Sequence, residues 1–455
     1  MMNCIVFLGT HKSGSSYEAI AAAKGMDYYT VLLTDEIAHF DKRLDFESVD
    51  LMIFCDLSSL DAIRHKINAL IQKQRNIRAI VSFTEEYCYA ASLIAKENGL
   101  IYFTPNAISI MIDKLETRKA LQETPYSPFF CEITKDSALT KQDIEEMLPF
   151  VLKEPVSSGS NGVTKINSYN EYKDELKEIN GKYPNGSVLI EQYLDGPQFL
   201  VETVVINKHV HIIAIVEQEV SFLYKFIITG YKIIHDHESE LSQSLITAVK
   251  SIIWHIGIET GPCHLELRYI ANQWKLIEIN PRISGASMNL LIETAYGVNL
   301  VKEILKIALG QEPDLIPKHK TEVFAQYIVM DKAGILLKVT GKNRALKCPG
   351  VMYVYIKPKK GHLLVPPFSM GHRYAYVIAT GESSDEAMAN AKFAAGQIEF
   401  LLKELDEERI NRLTVNQKET LNKYYKHKSK CLECPLHSHP LNQIRPDNRK
   451  IAKAL

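Results

Sequence analysis

The sequence predicts a protein of mixed α/β and α+β class, and three observations carry that prediction. The chain has 455 residues, enough for about three packed units at roughly 100–200 residues per domain. Its first hundred residues alternate short β-branched runs with helical patterns, which is typical of βαβ units around a parallel sheet. Farther on, residues 202–217 alternate in the manner of long strands in an antiparallel sheet.

Composition and charge narrow the function classes. The chain is 46% hydrophobic and 24% charged, close to the globular average, so a largely disordered or coiled-coil chain is excluded. The formal net charge of −1 argues against steering of the whole protein toward nucleic acid, although residues 409–455 carry 11 basic and 3 acidic residues. Apolar runs such as residues 212–216 fall far short of the ~20 residues of a membrane span. The start, MMNCIVFLGTHK, lacks the features of a secretory signal, so we expect a cytoplasmic protein.

Changes of pattern along the chain predict five segments. They are an N-terminal α/β domain, a small lobe, a large lobe, an α+β block and a basic tail, at residues 1–107, 108–190, 191–320, 321–404 and 405–455. A short helix with Lys114 opens the small lobe, and a helical stretch that stops at Gly310 closes the large lobe. In the α+β block, Ser383 and Glu386 predict a capping box at a helix start. The tail is polar and weakly periodic.

The strongest local signal is the segment HLELRYIANQWKLIEINPRISG. Two strands flank a turn near Asn272, and a turn centred there places Glu266 directly opposite Glu278. Two carboxylates that face each other across a ladder repel unless a cation lies between them. With the carbonyl of Asn280, they are the oxygen ligands that Mg²⁺ prefers. The alternative is a solvated polar hairpin, and against it stand the adjoining residues Pro281, Arg282 and Gly285.

A second signal is Lys153, on a strand that precedes the loop SSGSNG at residues 157–162. Small residues let consecutive backbone N–H groups approach phosphate oxygens, and a nearby lysine adds a point charge. The loop is not a Walker A motif, because no GK[ST] follows. Taken alone, such a loop is more often a plain turn, and Lys114 alone is a surface lysine.

Together these motifs resemble those of the ATP-grasp family of carboxylate–amine ligases, over the span from the N-terminal sheet to about Leu402. DKLETRKAL resembles the segment of the family's first phosphate lysine, and FVLKEPVSSGSNGV resembles the second lysine with its phosphate-covering loop. LIEQYLDGPQF is similar to the hinge that holds the adenine. ELRY with LIEINPR is similar to the Mg²⁺ triad, followed by an arginine for the acyl phosphate.

The resemblance implies an ATP-grasp fold, in which a parallel-sheet (pre-ATP-grasp) domain precedes a two-lobed ATP-binding core and a C-terminal α+β block. It implies catalytic roles for Arg282 and Lys153. It also implies two Mg²⁺ ions, replaceable by Mn²⁺, on Glu266, Glu278 and Asn280. The implied ATP-binding residues are Lys114, Lys153, Ser158, Ser160, Asn161, Gly162, Glu191, Gln192, Leu194 and Gln198.

The implied activity is the ATP-dependent joining of a carboxylate to an amine, both from amino acids, through an acyl phosphate, with release of ADP and phosphate. Two residues depart from the family pattern. Gln198 stands where a glutamate usually accepts the ribose hydroxyls, and His264 stands where D-alanyl-D-alanine ligases carry an arginine. His264 and the ending NPRISG resemble the amino-acid and dipeptide ligase branch. A homodimer is expected, since this fold class often dimerises.

Two further groups of residues are weaker candidates. Glu85, Arg282 and Gly285 are candidate substrate residues, because Glu85 follows the strand RAIVSF where α/β sheets bind ligands. The alternative for Glu85 is a solvated carboxylate at a helix N-terminus. The second group has the residue types and spacing of a Zn²⁺ site, or is a basic extension with incidental cysteines; its members are Cys431, Cys434, His437 and His439.

Other functions fit parts of the sequence. An NAD-dependent enzyme would need a dinucleotide fingerprint, and the glycines after the first strand do not match it. A non-catalytic nucleotide sensor would use the same fold, but it has no need of the complete metal and lysine set. A nucleic-acid binder would use the basic tail and show salt-dependent retention on DNA. A ligase for a different carboxylate, such as a secondary-metabolite acid, is the remaining alternative.

Overall fold

The computed structural model describes residues 2–134, 139–154, 162–183, 186–222 and 226–432. The chain divides into two compact units. The first unit consists of Met1–Ser127, Phe199–Ile215 and Ser242–Lys320, and the second of Pro128–Gln198, Val216–Leu241 and Thr321–Leu455. The five contiguous segments predicted from the sequence are a finer division of the chain and remain a prediction.

The N-terminal part of the first unit is a parallel sheet between helices. Its strands are β1 (Met2–Leu8), β2 (Tyr29–Thr34), β3 (Leu51–Phe54) and β4 (Arg75–Val81). Its helices are α1 (Ser15–Gly25), α2 (Ile37–Asp41), α3 (Leu60–Gln72), α4 (Glu85–Glu97), α5 (Pro105–Ile112) and α6 (Lys114–Leu121). The strands pair in parallel in the order β3-β2-β1-β4. Val6 and Val31 pack with Ile63 of α3 and Ile94 of α4 in one core, so the predicted βαβ pattern is confirmed.

The second unit begins with a small antiparallel sheet. Its elements are β5 (Phe130–Ile133), α7 (Lys141–Met147), β6 (Phe150–Lys153), β7 (Val163–Ile166), α8 (Tyr169–Lys182) and β8 (Val188–Gln192). The strand order is β5-β8-β6-β7, with every pair antiparallel. Ile144 and Ile179 from the helices cover Phe150 and Ile190 of the sheet. Alternate residues of β6, Phe150 and Leu152, face this core, which fixes the register of the strand. Lys153 lies on this strand, as predicted.

Long antiparallel strands come next. The elements are β9 (Gln198–Ile206), β10 (His209–Phe222), β11 (Phe226–Ile234), α9 (Glu240–Ile256), β12 (Gly261–Ile270), β13 (Gln273–Asn280), α10 (Met288–Tyr296) and α11 (Leu300–Ala308). Within the first unit the strand order is β13-β12-β9-β10, so β13 lies at the edge. Gly310, at φ +71°, follows α11, where the sequence predicts a helix stop.

The C-terminal part of the second unit is α+β, as predicted. Its elements are β14 (Glu322–Ile328), β15 (Gly334–Thr340), α12 (Lys342–Ala345), β16 (Val351–Ile356), β17 (Leu363–Leu364), β18 (Ala375–Gly381), α13 (Ser384–Ala395), β19 (Glu399–Lys403), α14 (Glu407–Arg412) and α15 (Val415–Leu432). The strand orders are β11-β14-β18-β16 and β17-β15-β19. Ser383 caps α13 through the amide of Glu386, but the Glu386 carboxylate accepts from the amide of Glu382, not Ser383, so the predicted capping box is only half formed.

The polar, weakly periodic tail from residue 405 begins with two helices, since α14 and α15 follow β19. Leu421 and Tyr424 lie three residues apart, hence on one face of α15, and are buried with Leu413 and Val365. This narrow apolar stripe is easily overlooked in a polar sequence. Among the described residues, no helix combines the length and apolarity needed to cross a membrane.

Candidate metal and nucleotide site

The centre of the candidate site is the hairpin of β12 and β13 in the first unit. Glu266 lies opposite Glu278, as predicted. The turn between the strands is Ala271–Asn272, whose φ angles are +47° and +61°, the conformation that matches strand twist in a two-residue hairpin. The turn is therefore centred slightly before Asn272, and a hairpin with regular pairing would not bring the two carboxylates together.

A β-bulge restores the pairing of the carboxylates. Leu267 pairs with Leu276, whereas the next residue, Glu266, pairs with Glu278, so Ile277 is left over. If the register continued unshifted from the turn, Glu266 would face Ile277, and Glu278 would point to the opposite side of the sheet. The bulge is thus what puts both carboxylates on one face.

Hydrogen bonds around Asn280 fix the direction of its amide. The amide nitrogen lies 3.0 Å from Oε1 of Glu278, an acceptor, so it donates there. It also lies 3.2 Å from Nε2 of His264, which therefore accepts. The His264 proton is then on Nδ1, which donates to the carbonyl oxygen of Arg282 at 2.8 Å. Burial lowers the pKa of His264 to about 4, which keeps the ring neutral in this role.

These contacts decide which atoms can hold a metal. One ligand atom from each of His264, Glu266 and Glu278 lies within 4.8 Å of the others. Both ring nitrogens of His264 already take part in hydrogen bonds. The two hydrogen bonds of the Asn280 side chain described above use its amide nitrogen and not its oxygen. The donors best suited to a cation are therefore oxygens, and this set fits Mg²⁺.

Arg282 and Glu85 meet beside this cluster. The Arg282 guanidinium donates to Oε2 of Glu85 at 2.8 Å and to the carbonyl of Ile283 at 3.1 Å. The side chains are only 20% and 18% exposed, so Glu85 is a carboxylate at the N-terminus of α4, as in the alternative, but it is paired with Arg282 and largely removed from solvent. Burial raises the pKa of Glu85, while the charges of Arg282 and Lys114 oppose that shift. A Cβ on Gly285 would meet nothing within 4 Å.

Glu202 of β9 is a buried carboxyl group that was not predicted from the sequence. It is 1% exposed, and its Oε1 accepts the amide of Ser284 at 2.9 Å. Its Oε2 has no hydrogen-bond partner in the described part of the chain. Burial raises the pKa of Glu202 to about 8 against the effect of the Ser284 amide, so the group carries a proton at neutral pH. The available signal was one acidic residue within the apolar run FLVETVVI.

In the second unit, Lys153 of β6 and Glu191 of β8 form a buried ion pair. Nζ of Lys153 donates to Oε2 of Glu191 at 2.6 Å, and the residues are 6% and 3% exposed. Gln192 is exposed at the end of β8, whereas Leu194 and Gln198 are buried. These predicted nucleotide residues therefore lie on, or just beyond, strands of that unit.

The rest of the predicted nucleotide and zinc residues are only partly described. Gly162, at φ +62°, accepts a hydrogen bond through its carbonyl from the amide of Glu154 at 2.8 Å. Three residues of the predicted phosphate loop fall outside the described residues: Ser158, Ser160 and Asn161. Cys431 lies in the last turn of α15, and its predicted zinc partners are likewise outside the described residues: Cys434, His437 and His439.

Two family models match parts of this chain. Residues 146–289 match the family model of the ATP-grasp domain, and residues 326–403 match that of the L-amino acid ligase C-terminal domain 2. An uncharacterized protein of Sinorhizobium fredii is 25% identical over 394 residues, which cover 84% of this chain and 79% of that protein. The L-arginine-specific L-amino acid ligase of Bacillus subtilis is 20% identical over 293 residues, 63% of this chain and 70% of the relative.

Among solved structures, an L-amino acid ligase from Bacillus licheniformis has the same fold. The TM-score is 0.74 at 17% sequence identity, over 89% of this chain and 99% of that one. Residues 146–289 therefore form an ATP-grasp domain, and the predicted superfamily, fold class and enzyme class are confirmed. The C-terminal domain match then selects a branch: the chain resembles the L-amino acid ligases, as the sequence predicted.

Proposed function

We propose that this protein joins two amino acids in an ATP-dependent reaction. An oxygen of the first substrate's carboxylate attacks the γ-phosphorus of ATP, the bond from that phosphorus to the β-phosphate oxygen breaks, and ADP leaves. The amine of the second substrate then attacks the carbonyl carbon of the acyl phosphate, loses a proton, and displaces phosphate to form an amide. The observation that carries this proposal is the pairing of Glu266 with Glu278 beside Arg282.

The residues of the first unit would act on the transferred phosphoryl group. Glu266, Glu278 and Asn280 would hold Mg²⁺, which neutralises phosphate charge when bound. Arg282 follows the last of these ligands by two residues, and its planar guanidinium suits both an acyl phosphate and a developing oxyanion. Lys114 would supply a second positive charge, which also acts on Glu85. In such transfers, positioning and charge neutralisation account for most of the catalysis.

The residues of the second unit would bind the nucleotide. Lys153 is placed by its ion pair with Glu191, and a buried ammonium of fixed position is suited to a phosphate. Gln192, Leu194 and Gln198 would contact the adenosine. The loop residues Ser158, Ser160 and Asn161 belong to this proposal by resemblance alone.

Amino acids are the proposed substrates for two reasons. The pair of Arg282 and Glu85 is complementary to a zwitterion, since one member matches a carboxylate and the other an ammonium. In addition, the relatives named above include L-amino acid ligases. The proposal includes Mn²⁺ as a substitute for Mg²⁺, a homodimer and a cytoplasmic location.

The deciding experiment is a phosphate-release screen over pairs of L-amino acids with ATP and Mg²⁺, with mass spectrometry of the products. The Glu278→Gln protein supplies the background rate. At least one pair should release phosphate above that background and yield a dipeptide in equal amount. Release with no pair, while ATP and Mg²⁺ still raise the melting temperature, would contradict the amino-acid substrates and favour another carboxylate or a nucleotide sensor.

A further inference from the structure

The bulge that brings the two metal carboxylates together lies on an edge strand. One segment supplies hydrogen bonds to two backbone groups there. The amide of Leu276 donates to the carbonyl of Tyr126 at 2.8 Å. The carbonyl of Ile277, the residue left over in the bulge, accepts from the guanidinium of Arg118 at 2.6 Å. On an edge strand, the backbone groups of a bulged residue have no further strand to bond to, so hydrogen bonds from other parts of the chain stabilise the bulge.

Arg118 is unusually placed for a charged side chain. It is 2% exposed, and it is the largest of the fully buried side chains in the described part of the chain. Burying a guanidinium is costly unless its donors are used, so a simple surface role does not account for its position. A solvated surface arginine would also not donate to a bulge carbonyl.

Arg118 also connects two parts of the candidate site. It stands on α6 four residues after Lys114, and residues four apart lie on the same face of a helix. The helix is fixed at its start by Asp113, whose side chain accepts from the amides of Leu115 and Glu116. The hydrogen bond to Ile277 therefore ties the helix that carries Lys114 to the strand that carries Glu278.

We infer that Arg118 is a positioning residue for the metal site: by holding the carbonyl of Ile277, it keeps the bulge that puts Glu278 opposite Glu266. The inference rests on the proposed function, since it assumes that these carboxylates bind the metal. Losing this support leaves the strand free to pair in the regular register, which moves Glu278 off the shared face. Loss of a residue that supports metal ligands typically weakens metal binding by about 10–100-fold.

The test is direct binding of Mn²⁺, in the presence of ATP, measured by electron paramagnetic resonance on the full chain. Arg118→Met, which removes every donor, should bind Mn²⁺ at least about tenfold more weakly than the wild type. Arg118→Lys, which keeps the charge and one donor group, should lie between them. The matched control is Lys119→Met, because Lys119 is the next residue of α6 and pairs with Glu116 at the surface. It should bind Mn²⁺ as the wild type does.

A second readout separates positioning from plain stability. The Mg²⁺ concentration for half-maximal activity should rise in Arg118→Met, while the rate at saturating Mg²⁺ falls much less. If both Arg118 variants bind Mn²⁺ as tightly as Lys119→Met and only their melting temperatures fall, Arg118 is merely structural and the inference is wrong. If Arg118→Met does not fold, Arg118→Lys against Lys119→Met decides in the same way. Absence of Mn²⁺ binding by the wild type would instead overturn the proposed metal site itself, and this inference with it.

Discussion

Two cross-strand pairs of charged side chains, one in each unit, differ in how their charge is balanced. Lys153 and Glu191 lie on β6 and β8, carry opposite charges, and are bonded at 2.6 Å. Glu266 and Glu278 lie on β12 and β13 and carry the same charge. The first pair is neutral by itself, whereas the two carboxylates of the second pair repel each other, which favours a cation between them. A pair of like charges therefore predicts a ligand more directly than a pair of opposite charges.

The largest effect is expected from removing one charge of the unbalanced pair. Glu278→Gln should abolish turnover, because the metal loses a charged ligand, while the protein stays folded. The glutamine oxygen can still accept the amide of Asn280. Without metal, the variant should melt at or above the wild-type temperature, since repulsion from Glu266 is relieved. Phosphate release and thermal unfolding measure the two effects, and normal activity at ordinary Mg²⁺ concentrations would disprove the metal assignment.

Arg282→Lys tests the residue that adjoins this pair. A lysine keeps the charge but not the planar fork, and losing one such donor costs about 10²–10³ in rate. Product formation should fall by at least about tenfold, while ATP with Mg²⁺ still raises the melting temperature. Loss of that stabilisation with normal turnover at saturating ATP would make Arg282 a nucleotide anchor and remove it from the acyl-phosphate position.

The sequence predicted the fold and the facing carboxylates well, and for a physical reason. Strand alternation, helix periodicity and the spacing of Glu266 and Glu278 are local properties of the chain, and the family motifs extend them. The bulge at Ile277 was not predicted, because nothing in LELRY or KLIEI distinguishes a bulged from a regular hairpin. The predicted pairing of Glu266 with Glu278 is nevertheless correct, since the error in the turn centre and the missing bulge cancel.

Residues that act through contacts distant in sequence were missed. Arg118 meets Ile277 across 159 positions, and Glu202 meets Ser284 across 82. No periodicity connects such pairs, although a lone acidic residue in an apolar strand was a usable signal. The role of His264 was likewise hidden, because it depends on the direction of the Asn280 amide. In the tail, the apolar stripe of α15 was too narrow to stand out.

A smaller effect is expected at the balanced pair. Glu191→Gln leaves the ammonium of Lys153 buried without its carboxylate, which costs about 3–5 kcal/mol of unfolding free energy. The double variant Lys153→Met with Glu191→Gln removes both charges, so it should be more stable than Glu191→Gln alone. Chemical denaturation without nucleotide measures both. Equal stability of Glu191→Gln and the wild type would show that the Glu191 carboxylate does not stabilise the buried ammonium of Lys153. Its remaining proposed role would then be nucleotide binding.

Glu202 is a third buried carboxyl group, on which burial and the charge of Glu266 outweigh the charge of Arg282 and the amide of Ser284, so that it keeps a proton. Burial raises its pKa from 4.5 to about 8. Between these two values the folded state holds a proton that the unfolded state releases, so raising the pH lowers stability in that range and no further above it. Glu202→Gln cannot titrate but still offers an oxygen to the amide of Ser284.

The stability of Glu202→Gln relative to the wild type should therefore increase by about 2 kcal/mol between roughly pH 6 and 8, at about 1.4 kcal/mol per pH unit before the group begins to ionise in the fold. Urea unfolding of both proteins across that range measures the difference. Below about pH 4 the two should be nearly equal, since Glu202 is then protonated in both states. A difference that stays constant from pH 4 to 8 would mean that Glu202 is ionised in the folded protein and has a cationic partner after all. In that case all three carboxylate sites would be neutralised by positive charge, and none by a proton.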